Sequence, residues 1–225
     1  MLEYLEILKE VFINESRYWY LVEGLGFSIA TTALSALIGI ALGILIALMQ
    51  LSTWRVLSKL AFAYVYIIRG TPVVVQLMIW ANIVFVGALR DMPILLIAAI
   101  AFGINSGAYV AEIIRAGIAG LDKGQMEAAR ALGMGYALSM KEIIIPQAIK
   151  RILPPLVSEF IALLKETSIV GFIGGVDLLR AANIITSQTY RAIEPLLAVG
   201  IIYLILTSIF AMLMRKVEKR LKESD

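Results

Sequence analysis

The chain has 225 residues, of which 60% are hydrophobic and 16% charged, with a mean hydropathy of +0.89. A soluble domain is roughly half apolar and a quarter charged, so these values exclude one; they fit a membrane protein with room for about five to seven crossings of roughly 20 residues each. The chain has no Cys and no His, and its net charge is +3; disulfides, thiolate chemistry and the commonest general base are excluded, while a carboxylate-only metal site stays open.

The first fifteen residues carry Glu3, Glu6, Glu10 and Glu15 against Lys9. A cleaved export signal begins with basic residues, so the segment does not read as one. Leu2, Leu5, Leu8, Val11 and Phe12 recur at helical spacing and predict a short amphipathic helix within residues 1–20, lying at the membrane surface, with a merely solvated helix as the alternative. The first long apolar run, 24–51, is rich in small residues, and Gly39 and Gly43 form a GxxxG spacing suited to close helix approach in lipid. A second run, 60–89, is interrupted at Arg69-Gly70-Thr71-Pro72, where Pro at a first helical position after a Thr cap predicts a broken or kinked helix. Arg90-Asp91-Met92-Pro93 predicts the next turn. The third run, from Ile94 to about Ile118, contains Gly103-Ile104-Asn105-Ser106-Gly107, read as a break. A mixed segment from Gly120 to Pro155 precedes a fourth run over about 156–175, whose start is left open because 143–152 is also partly apolar. Asp177 predicts the cap of a short helix through Gln188. The last run, 195–214, has no charge. The reading is an all-α membrane protein of five spans in one domain, 1–225.

Lys and Arg set the direction of these spans. With the first connection, the central segment and the C-terminal tail on the cytoplasmic side, thirteen Lys and Arg lie there and six on the other, with Arg69 inside the second span. Basic residues favour the cytoplasmic side, which predicts the N-terminus outside and the C-terminus inside.

The central segment, 120–146, carries the most specific pattern. Residues 123–132 read as a short helix ended by Gly133. Ser139 and Glu142 match a capping box for a new helix, and Ile143-Ile144-Ile145-Pro146 leads back to the membrane. Ala128, Ala129 and Ala131 permit close approach and Lys123, Glu127 and Arg130 can fix register, so the helix is shaped to dock in a groove of another protein. A surface connector without a partner is the alternative.

Glu127-Ala128-Ala129, three residues, Gly133, nine residues, Ile143, one residue and Ile145-Pro146 resemble the EAA loop of ABC importer permeases. Only Ile145 departs from the usual Leu, a volume-conserving change. Ile68-Arg69-Gly70-Thr71-Pro72 with Gln76 resembles the RGTP segment of the polar amino acid uptake subfamily. The run Ser106 to Ile118 is similar to its third span, and Glu159-Phe160, Leu164-Lys165 and Thr167-Ser168 to its fourth. The resemblance implies the type I ABC importer permease fold, with five spans and a coupling helix that sits in a cleft of a cytoplasmic ATPase. On it rests the coupling role expected of Lys123, Glu127, Ala128, Ala129, Arg130, Gly133, Ile143 and Pro146. It also implies two ATPase subunits, a second permease copy or a related permease, and an extracytoplasmic amino acid-binding protein. The expected setting is the prokaryotic cytoplasmic (inner) membrane, with an amino acid as substrate and no nucleic acid. No cofactor or metal of the chain's own is expected, since ATP and Mg²⁺ would be bound by the partner ATPase.

Ionisable groups in a span are costly and mark candidate sites. Glu159 can accept an α-amino group or a basic side chain, or instead pair with Arg151, Lys150 or another span. Asn105 and Ser106, beside two glycines, can offer an unwound backbone to a substrate carboxylate, or form an internally satisfied kink. Gln76 can line the same cavity. Lys165 and Glu166 read as a structural pair near a helix end rather than a gate, and Glu112 and Arg115 as a helix pair that holds the third span. Tyr109 reads as aromatic packing, with the pathway as the alternative.

The functional expectation is therefore the permease subunit of an ATP-driven importer for polar amino acids, with basic ones such as arginine or histidine as candidates, and not an enzyme. No G-x-x-x-x-G-K-[ST] segment is present to cradle phosphates. A secondary transporter is the second reading, against which stand the lack of a convincing repeat and the odd span count. An intramembrane enzyme is the third, disfavoured without His, Cys or clustered carboxylates.

Overall fold

Inside a bilayer the backbone finds no water, and a helix satisfies its own N–H and C=O groups. The computed structural model describes residues 2–86 and 91–222, and every regular element among them is helical. Arg90 of the expected turn lies outside the described residues.

Helix α1 (Leu2–Leu8) continues through a π turn (Lys9–Ile13) into a 3₁₀ turn (Asn14–Ser16). Glu15 and Ser16 have φ of 55° and 54°, which breaks the helix before α2. The single amphipathic helix expected within residues 1–20 is therefore divided. Its apolar side is covered by the protein only in part: Val11 is fully buried against Leu21, Leu178, Ala181, Ile185 and Val199, whereas Leu5 stays 56% exposed. Arg17 fastens the kink: its guanidinium donates to Gln188 Oε1 (3.1 Å), the Glu10 carbonyl (2.9 Å) and Glu15 Oε2 (2.8 Å).

Helix α2 (Tyr18–Gln50) begins earlier than the apolar run suggested. Helices α3 (Arg55–Arg69) and α4 (Val73–Val86) meet at a 105° bend, at the Arg69-Gly70-Thr71-Pro72 break read from the sequence. The Thr71 hydroxyl does not cap α4; it donates back to the Ile67 carbonyl at 3.0 Å.

Helix α5 (Ile94–Ala119) corrects the expected break, since it runs without interruption through Gly103 and Gly107. Its glycines serve the contact with α2 instead. A Cβ at Gly103 would stand 2.6 Å from Ile38 Cγ2, and one at Gly107 3.0 Å from Leu42 Cβ. From the other side, a Cβ at Gly43 would stand 2.4 Å from Val110 Cγ1 and one at Gly39 3.0 Å from Ser106 Cβ. Small residues thus bring two backbones together where lipid supplies no hydrophobic drive for association.

Helix α6 (Lys123–Ala131) is followed by α7 (Tyr136–Ser139), a π turn (Met140–Ile144) and α8 (Ile145–Glu166). The capping box at Ser139 is not formed. Ser139 already lies inside the helical run begun at Gly135, and its hydroxyl donates to the Gly135 carbonyl at 3.0 Å. Pro146 would clash with an ordinary i−4 carbonyl, and the wider π turn just before it gives the ring room. The fourth run also starts earlier than its apolar stretch, because α8 passes through Pro154 and Pro155. A 3₁₀ turn (Thr167–Ile173), α9 (Leu178–Thr189) and α10 (Ile193–Lys222) complete the chain. Asp177 caps α9 as expected, accepting from the Leu179 amide at 2.9 Å. Burial pushes its carboxyl up from the ordinary value against that bond.

Tyr18–Gln50, Ile94–Ala119 and Ile193–Lys216 are long and apolar enough to cross a membrane, and the bent pair Arg55–Arg69 with Val73–Ile83 makes a fourth such unit. The remaining expected span is α8, which carries Lys150, Arg151, Glu159, Lys165 and Glu166 and is less apolar than these four.

Gly43→Ala is expected to force α2 from α5 and cost about 1–3 kcal/mol, read as a lowered Tm of the purified protein. Gly26 in the same helix has nothing within 4 Å of its would-be Cβ. Gly26→Ala should leave Tm unchanged or slightly raised, and equal losses in the two variants would contradict the packing account.

Candidate functional site

On α5, Ser106, Tyr109, Ile113 and Ala116 follow one another at spacings of three and four, as do Arg151, Pro155 and Glu159 on α8, so each set shares one helix face. These faces meet. Ser106, 2% exposed, donates to Glu159 Oε1 at 2.8 Å. The pair lines a pocket of about 240 Å³ with Ala36, Ile40, Val110 and Phe160. A carboxylate among apolar walls is expensive and makes a strong electrostatic site for a cation or an ammonium group.

Asn105 and Gln76 turn elsewhere. Asn105 Nδ2 donates to Gln76 Oε1 at 3.0 Å, and Gln76 Nε2 donates to the Ile68 carbonyl and Thr71 Oγ1, both at 2.7 Å. Both side chains are buried, at 3% and 6% exposure. The amides tie the α3–α4 bend to α5. The four residues expected around one cavity thus separate into two pairs on adjacent sides of α5. With α5 unbroken, no unwound backbone faces a cavity there.

Further along the same cleft, Glu112 accepts from Arg115 at 2.5 and 2.9 Å, the helix pair expected from the sequence. The Arg115 guanidinium also lies 5.9 Å from the centroid of the Phe62 ring. Arg151 is bonded to the Gly120 carbonyl. Arg69, which the sequence reading assigned no role, sits with its guanidinium 5.1 Å from the Tyr109 ring centroid. A lone arginine inside a span was the signal available for it. Cavities of about 320 and 420 Å³ open beside it, and both are lined by Arg69 and Glu112. Lys165 and Glu166 occupy the last turn of α8. Among the described residues, no three Asp, Glu, His or Cys side chains gather as metal ligands.

At the other end of α8, the Asp122 carboxylate accepts from the Gly124 amide at 2.9 Å and starts α6. Gly133, at φ 84°, ends it. The Gly133 amide donates to the Arg130 carbonyl (3.0 Å) and the Met134 amide to the Ala129 carbonyl (3.1 Å), the two crossed bonds of a Schellman turn. Lys123, Glu127, Ala128 and Arg130 are exposed, as are Gly133 and Pro146. Ala129 is buried at 4% exposure, on the side of α6 away from solvent, and Ile143 is half-buried. Leu132 (84% exposed) and Tyr136 (65%) extend the exposed surface with large apolar side chains, which the sequence reading did not single out.

The model of the family described as "Binding-protein-dependent transport system inner membrane component" matches residues 39–223. The chain is 42% identical over 214 residues to the arginine transport system permease protein ArtQ of Bacillus subtilis, covering 92% of this chain and 94% of that protein. It is 39% identical over 204 residues to a putative glutamine transport system permease protein GlnP of Rickettsia bellii, covering 90% and 93%. An amino acid ABC transporter crystallised with histidines matches at a TM-score of 0.85 and 44% identity, over 93% of this chain and 98% of that one.

Asn105→Ala would leave Gln76 Oε1 buried without its donor, at a cost of about 1–3 kcal/mol. The expected outcome is a lowered Tm of the purified protein, and an unchanged Tm would show that the amide pair does not hold the bend to α5.

Proposed function

Because the chain belongs to the family of binding-protein-dependent transport system inner membrane components, we propose that it is the permease subunit of an ATP-driven ABC importer of polar amino acids. It lies in the cytoplasmic membrane with its N-terminus outside and its C-terminus inside, and pairs with a second copy or a related permease. Two ATPase subunits bind ATP and Mg²⁺ on the inner side, and a binding protein delivers the amino acid from outside. The permease itself breaks no bond.

The observation that carries this reading is mechanical. From Tyr136 to Glu166 the chain is helical without interruption, through α7, the π turn and α8. The exposed α6 packs at the foot of that run, and Glu159 lies about 21 Å along α8 from Ile145 at 1.5 Å per residue. When ATP closes the ATPase dimer, α6 moves with its partner and α8 carries the displacement to the Ser106–Glu159 pair. Glu127, Lys123, Ala128 and Arg130 meet the ATPase, Leu132 and Tyr136 widen that contact, and Gly133 holds the turn. Half-buried Ile143 and buried Ala129 seat α6 on the helical run, and exposed Pro146 stands with the coupling surface. Glu159 and Ser106 receive the substrate's α-amino group or basic side chain, while Asn105 and Gln76 act at one remove by fixing the shape of the cavity wall.

Two experiments test this in proteoliposomes carrying the permease, its ATPase and the binding protein. Glu127→Lys and Gly133→Val are each expected to abolish ATP-coupled uptake while the chain still inserts. The second also sets a branched residue at positive φ, a strain of about 1–2 kcal/mol. Normal uptake by both variants would sink the coupling assignment. Glu159→Gln is expected to lower uptake of arginine or histidine roughly tenfold or more, as loss of a charge-assisted bond does, with glutamine affected less. Equal losses for acidic and basic substrates would make Glu159 structural.

A further inference from the structure

Three arginines line the two cavities that Arg69 and Glu112 share, and two are already engaged. Arg115 is bonded through two nitrogens to Glu112, and Arg151 to the Gly120 carbonyl. Arg69 differs. Among the described residues no carboxylate comes within ion-pair distance of it, and the contact that holds it is the face of Tyr109.

Arg69 closes the 15-residue α3, about 21 Å along the helix from Arg55. The guanidinium carbon lies 5.1 Å from the Tyr109 ring centroid, and its fork of N–H donors matches a carboxylate in bidentate geometry. The 320 Å³ cavity lined by Arg69, Tyr109, Glu112, Arg151 and Pro155 gives room for the partner, the Glu112 carboxylate being engaged by its two bonds from Arg115. Glu159 lies one turn beyond Pro155 on the same face of α8. Arg69 and Glu159 thus line two separate cavities, joined by the α8 face that carries Pro155 and Glu159.

We propose that Arg69 binds the α-carboxylate of the transported amino acid, with the Tyr109 ring as its positioning residue. This rests on the amino acid importer reading. It takes the carboxylate from Asn105, whose amide is spent on Gln76, and gives it to a group with a full charge. Arg69 recognises what all α-amino acids share, and Glu159 reads the cationic part.

To read the permease's own selectivity, the test uses the purified permease–ATPase complex in nanodiscs without the binding protein. L-Arginine and L-glutamine are titrated beside their decarboxylated counterparts, agmatine and 4-aminobutanamide. The wild-type complex should favour the amino acid over its counterpart by roughly 10- to 100-fold, the range of a charged hydrogen-bonded pair. Arg69→Gln should erase that ratio by weakening the amino acid alone, and Arg69→Lys should retain part of it. Tyr109→Leu should reduce the ratio and Tyr109→Phe, which keeps the ring, should restore it. An Arg69→Gln complex that still copurifies with the ATPase yet weakens both ligands equally, or keeps the full ratio, would overturn the assignment. If the wild-type complex binds the decarboxylated ligands as tightly as the amino acids, the carboxylate role fails while the importer reading stands. Binding of neither kind by the wild type would overturn this assignment, while uptake in the proteoliposomes decides the importer reading separately.

Discussion

The contact between α2 and α5 is made by glycine, and the rest of the molecule is arranged around it. Gly39 and Gly43 on one helix and Gly103 and Gly107 on the other let the backbones approach until a single added Cβ would collide. Lipid is as apolar as leucine, so such an interface gains from close packing rather than from escape from water. With α2 covering one side of α5, the remaining sides are divided. Asn105 faces the bend between α3 and α4, and Ser106 faces α8. Adjacent residues on one helix point about 100° apart, and that rotation separates a supporting amide network from a charged cleft.

The cleft in turn depends on α8 remaining one rigid element despite three prolines. A π turn ahead of Pro146 accepts the first. Inside α8, Pro154 and Pro155 remove two amide donors without ending the helix, as neighbouring elements in a membrane protein allow. The short α6 is held at both ends, by Asp122 and by the left-handed Gly133, so it moves as a block. In the proposed coupling, motion delivered at α6 would reach the cleft through one continuous helical run rather than through a loop.

Much of this was legible in the sequence because the signals were local. The interruption at Arg69-Gly70-Thr71-Pro72, the stop at Gly133 and the cap at Asp177 each need only a few residues to be read. The GxxxG at Gly39 and Gly43 announced close packing. What escaped was what depends on a partner across space. Gly103 and Gly107 read as a break because glycine weakens an isolated helix, yet Ile38 and Leu42 of α2 occupy the room they leave. The start of the fourth run stayed open because 143–152 is also partly apolar, and α8 in fact begins at Ile145 and passes through Pro154 and Pro155. Ser139 and Glu142 had the letters of a capping box, but Gly135 had already begun the helix. Arg69 carried a visible charge, while the ring that holds it lies on another helix, 40 residues further along the chain.

The cluster that buries Val11 has a consequence for the order in which the protein is assembled. Its members include Leu178, Ala181 and Ile185 of α9 and Val199 of α10, so the first turns of the chain lean on nearly its last. Arg17 repeats the connection through Gln188. During synthesis the N-terminal segment must wait, uncovered, until both late helices have been made. That seam closes last, and a chain released before α10 lacks it.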